Sequence, residues 1–268
     1  MIADGRQAGP DRRTRRARHI VWLAASCLFV AAVAGEACAA RPITVAGAAS
    51  LTDAFEELGR HASGQTRVEF SFAGSQTLRT QLEHGAGFDV IALADSTPMN
   101  ALARAKLIDA PQELARSRMV LVAPVRTRAV RSIADLGRPG VRVLLAVSAA
   151  PAGRYADRVL ANIGADRALG ENLRRAIEAN VVSREADVRA VLAKVALGEA
   201  DAGIVYATDV EGAKGRVRVV EIPDRLNVDA TYWIATVRGN AGPEAAAFVR
   251  FALGPEGRAI LARHGFRH

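Results

Sequence analysis

The chain has 268 residues, 50% of them apolar and 24% charged, with 23 glycines and 10 prolines; this composition excludes collagen-like, disordered and coiled-coil chains and suits one or two globular cores. Two cysteines, Cys27 and Cys38, are too few for a disulfide scaffold or a multi-cysteine zinc site, and the five histidines, His19, His61, His84, His264 and His268, lack ligand spacing. The formal charge of +8 comes from arginines interleaved with Asp and Glu, the pattern of a solvated surface rather than of a nucleic-acid partner.

At the amino end, Arg12, Arg13, Arg15, Arg16 and Arg18 precede an apolar stretch from Ile20 to Gly35, and Ala37-Cys38-Ala39 follows with small residues at cleavage spacing. That order predicts a signal peptide over residues 1–40, cut near Ala39 or Ala40, and hence export. The stretch is shorter than the ~20 residues that span a bilayer, so no stable membrane insertion is expected. Removing residues 1–40 leaves 30 of 36 basic and 25 of 28 acidic side chains, a net charge of about +5, and takes away both cysteines. The mature chain then depends on packing rather than cross-links.

Ile43-Thr44-Val45-Ala46 predicts a strand, Gly47 to Ser50 a turn, and Leu51, Ala54, Phe55 and Leu58 a helix. The unit recurs at Val68 to Phe72, through Ala73-Gly74-Ser75, into a helix carrying Leu78 and Leu82, and again from Val90 to Leu93 through Ala94-Asp95-Ser96. Met119 to Ala123 is a further strand, and the basic stretch Pro124 to Arg131 a passage to a second series. There, Val141 to Val147, Val181-Val182 and Gly203 to Tyr206 predict strands, with helices from Pro151 to Ile163 and through Val188, Val191, Leu192 and Val195. Strands at Val217 to Ile222 and Tyr232 to Val237 and a last helix from Pro243 to Leu253 close the chain. Alternating strands and helices imply an α/β fold with mainly parallel sheets covered on both faces.

Ser50 and Ser75 both fall between a strand's carboxyl end and a helix start, where ligands of open α/β sheets bind. Unpaired N–H groups and the positive end of the helix dipole suit an anion there without any Lys or Arg. Each serine also has the simpler option of capping its helix. Ala149 to Gly153 opens a helix with small residues that let a ligand approach the backbone, or serves as an ordinary helix start. Glu185-Ala186-Asp187-Val188 begins another with acids that complement its dipole, and Tyr206 offers one phenolic donor at a strand end, to a cleft or to backbone. Asp89 and Asp95 flank one strand and read as turn or cap residues. No G-x-S-x-G elbow, phosphate loop or His-Glu-x-x-His motif is present.

Five segments together, AGAASLTDAFEEL (46–58), FAGSQTLRTQLEHGAGFDVIALAD (72–95), APAGRYA (150–156), EADVRAVLAKVALGEADAGIVYATD (185–209) and GRAILARHGF (257–266), resemble the periplasmic molybdate-binding proteins of ABC transporters. The match covers nearly all of the mature chain, with the motifs in the family's order. The resemblance implies a two-lobed periplasmic-binding-protein-like fold of type II, joined by crossover strands, with lobe 1 at 41–123 plus 231–268 and lobe 2 at 124–230. It places the oxyanion's ligands at Ser50, Ser75, Tyr206 and the backbone donors of Ala152 and Val188. Gly74-Ser75-Gln76 stands where many relatives carry a serine run, and Tyr206-Ala207 where Tyr-Gly is common.

The resemblance thus implies a monomeric binding protein, not an enzyme, with no cofactor. Molybdenum or tungsten would be held as its oxyanion rather than by direct metal ligands, and delivered to an ABC permease. A dianion without protons offers only acceptors, which a set of donors matches, whereas a protonated phosphate calls for an acceptor such as a carboxylate. Sulfate or phosphate binding on the same fold is the alternative, and a secreted serine hydrolase using Ser50 or Ser75 is a remote one. Iron binding is disfavoured, since Tyr155, Tyr206 and Tyr232 include no adjacent pair.

Overall fold

The strand–turn–helix rhythm read at the amino end is realised three times in the computed structural model, which describes Met1, residues 41–62 and residues 67–268. The leader expected over residues 1–40 and both cysteines lie, Met1 aside, outside the described residues. β1 (Ile43–Ala48) leads through a 3-10 turn at Ala49–Leu51 into α1 (Thr52–Ala62), β2 (Val68–Ala73) into α2 (Ser75–Glu83), and β3 (Val90–Leu93) into α3 (Ser96–Arg104). β1 pairs in parallel with both neighbours, Val45 lying opposite Phe70 of β2 and Val90 of β3. Every residue of β1 except Thr44 is buried, as a central parallel strand covered on both faces requires.

α1 turns Ala54, Phe55 and Leu58 inward and carries Asp53 in its first turn and Arg60 and His61 in its last, which complements its dipole. Phe55 packs on Phe70 with ring centroids 6.2 Å apart and on Phe248 at 6.1 Å. A separate cluster of Leu78, Leu82, Ile91, Leu93, Met99 and Leu102 joins α2 and α3 to the sheet. Burying side chains of this size stabilises by about 1.5–3 kcal/mol each relative to exposure.

The strand expected at Met119–Ala123 is longer: β4 runs over Gln112–Pro124. Its first half pairs antiparallel with β9 (Asp229–Thr236), and its second half with β7 (Ala202–Tyr206) and β8 (Val217–Glu221). β5 (Val143–Ala146) lies parallel to β7 and to β6 (Val181–Glu185). Between these strands run α4 (Pro151–Ala165), α5 (Gly170–Ala179) and α6 (Val188–Leu197), and α7 (Pro243–Leu253) is followed at once by α8 (Pro255–Arg263). The helix from Pro243 is therefore not the last, and α5 is a further helix beyond those expected.

The strand path is β2-β1-β3-β9-β4-β7-β5-β6, with β8 on β4 outside it. Two parallel groups, β2-β1-β3 and β7-β5-β6, are thus joined through the antiparallel strands β9 and β4, giving a two-lobed α/β architecture. Residues 41–268 together make one compact unit. Among the described residues no helix is long and apolar enough to cross a membrane.

One close approach fixes the start of α4. A Cβ on Gly153 would stand 2.0 Å from the carbonyl oxygen of Val147 and 2.7 Å from that of Ala146, so the helix rests directly on the chain leaving β5. Gly153→Ala is expected to lower stability by about 1–3 kcal/mol in urea denaturation, whereas Gly87→Ala, whose Cβ would meet nothing closer than 3.7 Å, leaves the midpoint almost unmoved. Equal midpoints for the two variants would contradict this packing.

Candidate functional site

The carboxyl ends of the parallel strands converge on one small hollow, with about 20 Å³ of free space, lined by Ala48, Ala49, Ser50, Gly74, Ser75, Ala94, Pro151, Ala152, Asp187, Val188 and Tyr206. All five residues singled out by resemblance, Ser50, Ser75, Ala152, Val188 and Tyr206, are on this wall. They come from both parallel groups: Ser50 follows β1, Ser75 opens α2 after β2, Ala152 opens α4, Val188 opens α6 and Tyr206 ends β7. Among the described residues, no Lys or Arg lines the hollow.

The two serines do not cap their helices. Ser50, 4% exposed, accepts a hydrogen bond from the Tyr232 hydroxyl at 3.1 Å. Ser75, 2% exposed, accepts from the Ala94 N–H at 3.2 Å, while its helix starts on Gly74 with no side-chain cap. A hydroxyl carries one donor and can accept in return. With a protein donor already on each oxygen, both serines keep their proton to give elsewhere. Neither hydroxyl is bonded to a histidine or other base that would make it a nucleophile.

The backbone donors follow from helix geometry, since the first N–H groups of a helix have no partner within it. Pro151 occupies the first position of α4 and Ala152 the second. At α6 the Asp187 carboxylate accepts from the Ala190 N–H at 3.0 Å, and Val188, the first helical residue, lines the hollow. Each helix start adds a fraction of positive charge toward an anion.

Tyr206 is 1% exposed and its hydroxyl has no hydrogen-bond partner among the described residues. Its ring is held edge-to-face between Tyr155, at 6.1 Å between centroids, and Tyr232, at 5.6 Å. Burial pushes the phenol well above its ordinary titration range, so it stays protonated and acts as a donor. An unsatisfied buried hydroxyl costs about 1–3 kcal/mol.

Two contributors escaped the sequence reading: Tyr232 on β9 orients Ser50 across 182 positions of chain, and the Ala94 N–H orients Ser75. Asp187, read as an acid at a helix start, does cap α6 and also puts one carboxylate-bearing residue on the wall, so the lining is not made of donors alone. Asp95, read as a cap, does accept from the Thr97 N–H at 2.5 Å, and also pairs with Arg154 at 2.8 Å. Asp89, fully buried, takes Arg41 at 2.6 Å and the Thr44 N–H at 2.8 Å.

Beneath the wall, Asp209 follows Tyr206 in a 3-10 turn at Ala207–Ala213 and is fully buried. Arg189 Nε lies 3.3 Å from its Oδ1. Burial, opposed in part by the Arg189 charge, pushes the Asp209 carboxyl up to about 7. The folded protein therefore retains on Asp209 a proton that the unfolded chain has released, and the stability this confers is lost as pH rises from about 4 to about 7. Urea denaturation across that window is expected to show a downward slope in the native protein that Asp209→Asn removes; parallel profiles would show that Asp209 titrates normally. Among the described residues no group of three or more His, Cys, Asp or Glu is placed to hold a metal ion.

The sequence matches the bacterial extracellular solute-binding protein family over residues 43–267. It is 37% identical over 239 residues to the molybdate-binding protein ModA of Mycobacterium tuberculosis, covering 87% of each chain. It is 34% identical over 262 residues to the ModA of Escherichia coli, covering 93% of this chain and 98% of that one. Among solved structures, the periplasmic molybdate-binding protein of Azotobacter vinelandii superposes with a TM-score of 0.73 at 20% identity, over 84% of this chain and 99% of that one. With the two-lobed fold and a donor-lined hollow between its strand ends, the chain belongs to the bacterial extracellular solute-binding proteins, a family of binding proteins rather than enzymes.

Proposed function

We propose that this chain is the exported binding component of an ABC transporter, which takes molybdate, and also tungstate, into the hollow between its lobes and hands it to a membrane permease. The observation that carries this reading is the Tyr206 hydroxyl, buried without a partner among the described residues, on the same wall as two serine hydroxyls that each accept one hydrogen bond and keep their proton to donate. Such a wall asks for a guest that only accepts. Ser50, Ser75, Tyr206 and the N–H groups of Ala152 and Val188 are its proposed ligands, and molybdenum is held as the oxyanion with no cofactor.

Molybdate is favoured over other oxyanions by the relatives of M. tuberculosis and E. coli, whose names state that ligand. The proposed lobes are residues 41–123 with 231–268, and 124–230. The crossing of β4 and β9 between the two parallel groups supports two lobes, while the pairing of β4 from Met119 onward with β7 and β8 puts that half of the strand on the second group's sheet. A leader over residues 1–40 followed by a soluble periplasmic monomer completes the reading.

One observation favours a second reading. Asp187 lines the hollow, and a carboxylate there would accept from a protonated oxyanion such as phosphate. Against it, one Asp187 oxygen is already engaged by the Ala190 N–H.

Thermal unfolding with molybdate, tungstate, sulfate and phosphate separates these readings. A ligand at 100 times its dissociation constant adds about 2.7 kcal/mol of stability; molybdate and tungstate are expected to do so at the lowest concentrations. A shift with phosphate alone, abolished in Asp187→Asn, would install the second reading. Tyr206→Phe supplies an independent check. Removing the orphaned hydroxyl is expected to stabilise the unliganded protein by about 1 kcal/mol and to weaken molybdate by about 10-fold or more in calorimetric titration. Unchanged affinity would remove Tyr206 from the site.

A further inference from the structure

Three polar contacts cross the rim of the hollow, each joining an element of residues 41–123 to one of residues 124–230. Arg189 Nη2 donates to Asp53 Oδ2 at 2.8 Å, Gln76 Nε2 donates to the Ala186 carbonyl at 2.9 Å, and Arg154 Nε donates to Asp95 Oδ2 at 2.8 Å. Their anchors share a position in the sequence. Asp53 lies three residues after Ser50, Gln76 directly after Ser75, and Asp95 directly after Ala94, whose N–H holds Ser75. On the other side, Arg154 comes two residues after Ala152, while Ala186 and Arg189 bracket Val188. Two straps thus end close to a proposed anion donor on both sides, and the third joins Arg154, near Ala152, to Asp95, next to the residue that holds Ser75.

The guanidiniums are held in place by more than their crossing bonds. Arg154 Nη1 donates to the Ala149 carbonyl at 2.6 Å, and Arg189 Nε stands beside buried Asp209 at 3.3 Å. These contacts hold the guanidiniums beside carboxylates and a carbonyl, although Arg154 Nη2 is buried without a partner; among the described residues no cation lines the hollow itself. Gln76 lies over Gly74, where a Cβ would meet its amide nitrogen at 2.8 Å, so its amide closes the edge of the wall beside Ser75.

We propose that Asp53–Arg189, Gln76–Ala186 and Asp95–Arg154 are positioning contacts that form when the lobes close and set the rate at which the bound oxyanion leaves, without touching it. The proposal rests on the oxyanion-binding reading. It separates two tasks: neutral donors choose the guest, and charged straps around them hold the two halves of the donor set together.

The test is stopped-flow release of molybdate from the full chain and from Asp53→Asn, Asp95→Asn and the double variant. Asn at 95 keeps an acceptor for the Thr97 N–H, so α3 retains its cap. Release is expected to quicken about fivefold in each single variant and by about the product in the double one, since the straps are separate, with association within about twofold and the unliganded thermal midpoint unmoved. Raising ionic strength is expected to speed release from the native protein more steeply than from the double variant, because only the former has rim charges to screen. Unchanged release in both single variants, or a fall in unliganded stability that accounts for the lost affinity, would overturn the straps while leaving the binding site intact. A native protein that takes up no molybdate in the same instrument would overturn the molybdate reading itself, and the straps with it.

Discussion

A hydroxyl that already accepts a hydrogen bond is oriented as a donor, and the site turns on this constraint. Tyr232 donates to Ser50 and the Ala94 N–H to Ser75, so two small, rotatable groups become fixed donors before any guest arrives. Tyr206, wedged between two other tyrosines and buried without a partner, is held in the same role by packing instead. A wall prepared in this way rewards an acceptor-only guest and penalises one that brings protons of its own.

The fold places these donors without needing charge. Parallel strands bring their carboxyl ends to the same side, and the helices that follow point their unpaired N–H groups the same way. Two such parallel groups, facing across β9 and β4, bring helix starts from opposite halves to one hollow. Arginines stand near it, yet Arg154 and Arg189 are engaged by Asp95, Asp53 and Asp209. A cation on the wall would attract any anion; neutral donors leave discrimination to geometry and hydrogen-bond polarity.

Local sequence sufficed where local physics decides. The strand-to-turn-to-helix passages at Ser50, Ser75, Pro151 and Asp187 are written in short apolar runs followed by small or capping residues, and the positions of the five candidate ligands follow from them once the motifs are aligned to a family. It failed where pairing decides. Gln112 to Arg118 reads as a polar run, yet forms the first half of β4 because β9 lies beside it. α5 fully buries only Ile177, and α8 is a nine-residue helix starting on Pro255 just after the glycine that also ends α7; the first has a one-sided apolar pattern that the sequence reading passed over, and the second is short enough to merge with the helix before it. The support of Ser50 by Tyr232 joins residues 182 apart and that of Asp53 by Arg189 residues 136 apart; no spacing rule announces contacts at that range.

The central claim, that uncharged donors from both halves grip a tetrahedral dianion, is tested most directly by a crystal structure of the chain grown with molybdate. The account predicts the anion's oxygens within about 3 Å of the Ser50, Ser75 and Tyr206 hydroxyls and of the Ala152 and Val188 nitrogens, with every arginine side chain outside that distance. An anion seated on arginines elsewhere, with the Tyr206 hydroxyl still unpartnered, would contradict it.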